Sequence, residues 1–184
     1  MRSFKHLANQ PARLALVADE VVEFHASRLL LLFNVCGTAD RIEGLTKLAK
    51  LDFFVRYPAF FQRVAQSTGD DATTEGSSSL IESPMVRHHY GPWDRRYYHV
   101  LAYLEARKLI RVSKAGRAYL FVLTDEGREV AVSLRENEIF RELVMQMKRV
   151  KKAVGRFSGS RLKQMIYEEF AKEVADRSMG DLIE

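Results

Sequence analysis

The chain has one cysteine in 184 residues, four prolines and one tryptophan. A single cysteine, Cys36, excludes a disulfide framework and a cysteine-rich zinc site. Residues 29–33 form an apolar run, but it falls far short of the ~20 residues a membrane-spanning helix needs. The first six residues carry charge with no apolar segment behind them, which argues against a secretory signal and makes the cytoplasm the expected location. Gly-Lys-Ser and Gly-Lys-Thr are both missing. There is therefore no Walker A loop, and any ATP hydrolysis is expected of a partner. The remaining composition is 47% hydrophobic and 29% charged, which excludes wholesale disorder. A chain of this length is expected to form about one domain, or one domain with an extension.

The net charge of +5 is unevenly spread. Residues 1–66 carry +3, 67–82 carry −4, 83–124 carry +6, and 125–184 sum to zero. That zero splits into −2 over 125–134, +6 over 135–163 and −4 over 164–184. Two basic stretches point to nucleic acid or to an acidic protein surface. Solvated helix faces account for the same counts equally well.

Helical periodicity begins at Glu20. Val21, Phe24, Arg28/Leu29, Leu32 and Val35 share a face, and Gly37 is expected to end the helix as its C′ residue. Residues 29–33 are apolar nearly all round, so this helix is expected to be central. A second helix follows Gly44. Leu45, Leu48, Leu51/Asp52 and Val55 lie on one face, with Lys47 and Lys50 on the other. Pro58 restarts a helical stretch to about residue 65. Residues 67–82 are small, polar and acidic, an expected flexible insertion. Residues 84–90 read as extended, and 91–94 as a turn with Asp94 as N-cap of the next helix. Tyr97, Val100/Leu101 and Leu104 mark that helix. Strands at 110–112 and 118–123 flank a glycine-containing hairpin turn. Thr124 is the expected cap of a further helix. Two amphipathic helices follow, one from Phe140 to Val154 and one from Leu162 to Val174.

This order is that of a mainly α fold with a small β-wing, a winged helix-turn-helix over residues 1–134 with the acidic insertion at 67–82. Residues 135–184 are expected to be a C-terminal helical interaction extension. In a DNA-binding winged helix the third helix enters the major groove and the wing meets the backbone. The candidate DNA contacts are Arg95, Arg96, Tyr98, His99 and Tyr103 on that helix, with Lys114 and Arg117 on the wing. Guanidinium groups suit phosphates and guanine edges. A protein-docking role uses the same residues.

Two segments, 44–58 (GLTKLAKLDFFVRYP) and 83–94 (SPMVRHHYGPWD), together resemble the small middle component of bacterial ABC-three-component defence systems, a group that includes the Lamassu anti-phage systems. The resemblance covers about residues 20–134. It implies a non-enzymatic adaptor that sits with an SMC- or Rad50-like ATPase and an effector, often a nuclease, with double-stranded DNA as a further partner and no membrane. Lys148, Arg149, Lys151, Lys152 and Arg156 would then meet DNA or an acidic groove on a partner. Trp93 is either an interface anchor or packing for its turn. A homodimeric winged-helix transcription regulator, paired through residues 136–178, is the competing reading.

Other chemistry finds little support. His88 and His89 are neighbours on an extended segment and point to opposite faces, so they and His99 do not make a metal site. Cys36 lies at the end of the most apolar helix, where cysteine is expected to pack rather than react. Asp70, Asp71 and Glu75 lack the later glutamate of a calcium loop. No catalytic group or cofactor is expected.

Overall fold

The computed structural model describes residues 21–67, 85–88, 91–116, 118–170 and 178–183. Helix α1 (Val22–Cys36) leads into a short strand β1 (Arg41–Glu43) and then helices α2 (Leu45–Arg56) and α3 (Pro58–Ser67). A hairpin of β2 (Val86–His88) and β3 (Gly91–Trp93) precedes α4 (Tyr97–Ala106). Strands β4 (Ile110–Ala115) and β5 (Ala118–Leu123) make a second hairpin. Helix α5 (Asp125–Glu136), a 3-10 turn (Glu138–Phe140), α6 (Arg141–Val154) and α7 (Gly159–Glu169) follow. The protein is thus mainly helical with a small antiparallel sheet in the order β1-β5-β4. The helix expected after Pro11, residues 68–82 of the acidic insertion, His89 and Arg117 lie outside the described residues.

Two helices form the centre. Leu29, Leu30, Leu31, Leu32 and Phe33 on α1 are all buried, as the run of apolar residues predicts. On α2 every residue from Leu48 to Arg56 is buried. Helices α4, α5 and α6 cover α1, while α3, α6, α7 and β3 cover α2. An all-apolar helix needs neighbours on every side, and this arrangement supplies them.

The sheet closes one end of this core. Ile42 of β1 pairs with Phe121 of β5, and the Phe121 ring lies 6.2 Å from that of Phe33. The β4–β5 register, Ala115 opposite Ala118, leaves a two-residue turn. Thr124 caps α5 as expected, its hydroxyl accepting the Gly127 N–H at 3.0 Å.

Several local expectations need correction. Strand β1 has no counterpart among the expected elements. Residues 91–93 are a strand rather than a turn, pairing with β2 through Val86 opposite Trp93. Helix α4 starts at Tyr97 with Arg96 as its N-cap, so Asp94 is not the cap; its carboxylate instead accepts the Arg96 N–H at 2.9 Å. Gly37 follows α1, but its φ of −63° is not the left-handed conformation expected of a C′ glycine.

The larger correction concerns residues beyond 134. Helices α6 and α7 do not stand apart. Val144, Met147, Val150, Val154, Leu162 and Ile166 belong to the same continuous core as α1 and α2. The Gln146 amide donates to the Phe54 carbonyl at 3.1 Å, and the Cys36 thiol to the Met147 carbonyl at 3.4 Å. The apolar faces of these helices are the cover that α1 and α2 require.

Candidate functional site

A buried ionic cluster joins α1, α2 and the entry to α4. Arg28 on α1 reaches Asp52 on α2, with Nε 2.9 Å from Oδ1 and Nη2 3.4 Å from Oδ2. The Tyr97 hydroxyl donates to Asp52 Oδ2 at 2.7 Å. Arg56, one turn after Asp52, donates to Asp94 Oδ2 at 2.8 Å. Asp94 also takes two bonds from the Arg96 side chain, at 2.9 and 2.8 Å. The His25 ring lies between two guanidiniums, with Nδ1 3.1 Å from Arg28 and Nε2 3.0 Å from Arg96. Charged groups removed from water need partners of this kind, since the desolvation penalty is several kcal/mol per ion.

The electrostatics follow from the geometry. Burial alone would raise the Asp94 carboxyl, but the Arg96 hydrogen bonds and the Arg56 charge outweigh it and hold the group well below the usual carboxylate range. Burial, with the Asp52 charge beside it, pushes the Tyr97 phenol well above its ordinary value. Tyr97 therefore stays a donor to Asp52.

Lys50 lies nearby at the α2–β3 contact. Helical periodicity puts it on an exposed face, but it is fully buried. Its Nζ donates to the Pro92 carbonyl at 2.7 Å. Burial, with the Lys163 charge adding to it, lowers its pKa to about 7. Segments 44–58 and 83–94 thus meet through Lys50–Pro92 and Arg56–Asp94.

The surface formed by α4 and the β4–β5 hairpin carries the expected contact residues unevenly. Arg95, His99 and Lys114 are exposed, and Tyr98 is 65% exposed. Tyr103 is half-buried and donates to Glu23 at 3.2 Å. Arg96 turns inward to Asp94 and His25, so it is not an open contact residue. Trp93 is 5% exposed and packs edge-on against Tyr97 at 5.3 Å, which makes it packing for the start of α4 and not an exposed anchor.

The basic residues of α6 and the turn after it also divide. Lys148 and Arg156 are exposed, as is Lys152, and Arg149 is half-buried. The Arg156 guanidinium lies over the Phe157 ring at 5.0 Å. Lys151 is not a surface contact: its Nζ donates to the Cys36 and Gly37 carbonyls, at 2.9 and 2.6 Å, at the end of α1. Carbonyls without intrahelical partners and the negative end of the helix dipole explain its place there. Helix α4 packs on α1 and β4, whereas α6 packs on α1, α2, α3 and α5, so the two basic groups belong to different parts of the surface framework.

A cleft of about 310 Å³ beside β1 is lined by Cys36, Arg41, Glu43 and Lys47 among others. Burial pushes the Cys36 thiol up to about 12, which removes the thiolate that nucleophilic chemistry requires. Among the described residues no cluster of three or more His, Cys, Asp or Glu is placed to hold a metal ion. No described helix is long and apolar enough to cross a membrane.

Compared with protein-family models, with curated proteins and with solved structures, the chain shows no significant match to any.

Sequence reasoning does not reveal the ionic cluster as a unit. Its signal is nonetheless present, because Arg28 and Asp52 fall at positions of the apolar helical pattern. A charge at such a position asks for a buried partner from another segment.

Proposed function

We propose that this protein is a winged-helix adaptor subunit of a bacterial anti-phage defence complex, bridging an SMC- or Rad50-like ATPase and an effector. The observation that supports the reading most is the strand order β1-β5-β4 together with α4 leading directly into β4. A short strand after the first helix joins the returning strand of a basic hairpin, which is the arrangement a winged helix requires. In this reading α2 and α4 are the helix pair, and α3 with the β2–β3 hairpin is inserted between them. The bonds between segments 44–58 and 83–94 give the two resembling motifs a shared structural role, since together they hold the start of α4 against α2.

The face that meets double-stranded DNA would be Arg95, Tyr98 and His99 at the start of α4 with Lys114 of the hairpin. Arg96 and Lys151 have intramolecular duties and are left out of it. The homodimeric regulator draws less support, because the helices it needs for pairing give their apolar faces to their own core.

The test is a pull-down of the tagged chain from its native host, read by mass spectrometry. Recovery of a Rad50-like ATPase with an effector is the expected result. Recovery of the chain alone, as a dimer on one promoter fragment, would overturn the reading. For the DNA face, Arg95→Ala with Lys114→Ala should weaken duplex binding. The logarithmic salt slope should fall by roughly one for each phosphate that these two side chains neutralise. An unchanged slope would exclude that face.

A further inference from the structure

The outer edge of the β2–β3 hairpin is occupied by a distant segment of the chain. Leu182 forms an antiparallel bridge with Val86 of β2, on the edge that β3 leaves open. The Ile183 N–H donates to the Met85 carbonyl at 2.8 Å. The Tyr57 hydroxyl pins the same place from below: it accepts the Met85 N–H at 2.6 Å and donates to the Ile183 carbonyl at 3.2 Å. One hydroxyl can do both, since it has a single proton and two lone pairs. Ile183 is fully buried, while residues 178–182 are exposed.

The segment is shaped for this seat. The Asp181 N–H donates to the Ser178 carbonyl at 3.2 Å, and the Asp181 carboxylate accepts the Ser178 N–H at 2.9 Å. Gly180 takes a φ of +94°, which a side chain would disfavour. This turn delivers Leu182 and Ile183 in extended form to the strand edge.

The attachment is a strand addition with one apolar anchor. Backbone groups and the Tyr57 hydroxyl supply the bonds, and Ile183 is the side chain buried there. Among the described residues 178–183 only Ile183 is buried, and short, largely exposed elements of this kind open below the free energy of global unfolding.

We propose that the edge of β2 away from β3, with the place where Ile183 is buried and the Tyr57 hydroxyl, is a strand-docking site for an extended segment of a partner protein that presents a branched aliphatic side chain. Residues 178–183 are its ligand in cis, and a partner segment of the same chemistry displaces them. This inference stands apart from the ATPase and effector reading, and either can fail alone.

The experiment uses the full chain carrying Ile183→Asp, which removes the buried side chain, and a fluorescent peptide of the sequence Ser-Met-Gly-Asp-Leu-Ile. Fluorescence anisotropy should show saturable binding to the variant. The wild-type chain should bind at least about tenfold more weakly, because its own segment competes at high effective concentration. A peptide with alanine for its isoleucine should also lose at least about tenfold. A folded variant that fails to bind the peptide at roughly 1 mM, far above a useful docking affinity, would overturn the proposal. Equal binding by variant and wild type would do the same.

Native-state hydrogen exchange on the unaltered chain keeps the idea testable if the variant does not fold. The Ile183 amide should exchange at least about a hundredfold faster than the Phe61 amide, which is bonded to the Tyr57 carbonyl in the core. Equal protection of the two would show that the segment leaves only on global unfolding, and would refute displacement.

Discussion

Replacing Lys50 by methionine should stabilise the protein at neutral pH. The side chain is fully buried and its ammonium donates to the Pro92 carbonyl. The ordinary lysine value is 10.5, and burial lowers it here to about 7. That difference corresponds to about 4–5 kcal/mol of penalty for carrying the charge in the folded state. Methionine has nearly the same length and no charge, but it leaves the Pro92 carbonyl without its donor, at a cost of about 1–3 kcal/mol. The net expectation is a gain of about 1–4 kcal/mol at pH 7.

The pH dependence is the sharper test. Between about pH 7 and 10.5 the unfolded lysine binds a proton that the folded one does not. Wild-type stability therefore rises with pH across that window, by up to about 1.4 kcal/mol per unit. The penalty is fully present below pH 7 and relieved towards 10.5. The methionine variant lacks this dependence, so its advantage should shrink as pH rises and reverse between about pH 8 and 10. Urea unfolding of both proteins at about pH 6.5, 8.5 and 10.5 spans the window, and groups common to both cancel in the difference. A difference that does not change with pH, or a variant less stable at every pH, would refute the account of Lys50 as a desolvated cation.

Three further outcomes rest on the same kind of contact. Asp52→Asn leaves Arg28 buried without its countercharge and should cost about 3–5 kcal/mol, while Arg28→Met with Asp52→Leu should recover most of that loss in urea unfolding. Because the Asp94 carboxyl is held below the usual range, its contribution is present above about pH 4 and lost as pH falls below it. Stability curves of wild type and Asp94→Asn should accordingly converge between about pH 5 and 2, and parallel curves would show that Asp94 is not anchored by Arg96 and Arg56. Gly127→Ala would normally stabilise a helix by about 1 kcal/mol. Here the added carbon would stand 1.8 Å from the Leu109 carbonyl oxygen, so the melting temperature should fall; a rise would show that the start of α5 can move away from the α4–β4 turn.

What is legible in the sequence is what is local. Thr124 caps α5 because a hydroxyl three residues before a free N–H satisfies it whatever surrounds the helix. The β4–β5 hairpin is local in the same sense. The exposure of Arg95, Tyr98 and His99 is readable because they lie opposite Tyr97, Val100 and Leu104, and only that inner stripe packs. Periodicity has a limit, however: it finds an apolar face without saying what covers it. It locates α6 and α7 but places them outside the domain. It puts Lys50 in water because it assumes one wet face, whereas α2 is enclosed by α3, α6, α7 and β3. Strand β1 is three residues with one inward side chain, Ile42, and exists because β5 offers it an edge.

Charge counting fails for a related reason. The +6 over residues 135–163 treats all cations alike, yet Lys151 is committed to the carbonyls at the end of α1 while Lys148 faces solvent. Whether a cation is a contact residue depends on which carbonyl or carboxylate another segment brings to it. Arg28 finds Asp52 across 24 positions and Arg56 finds Asp94 across 38. Those separations lie beyond any helical or strand period. Segments 44–58 and 83–94 are therefore better understood as one object in space. Lys50 and Arg56 on one reach Pro92 and Asp94 on the other, and the pairing fixes where α4 begins. If a partner or a duplex reads Arg95, Tyr98 and His99, their position is set by buried residues that never touch it. Asp94→Asn should then weaken that contact even though the side chain lies beneath the surface. Unaltered binding by a folded Asp94→Asn variant would show that α4 is positioned by its apolar face alone.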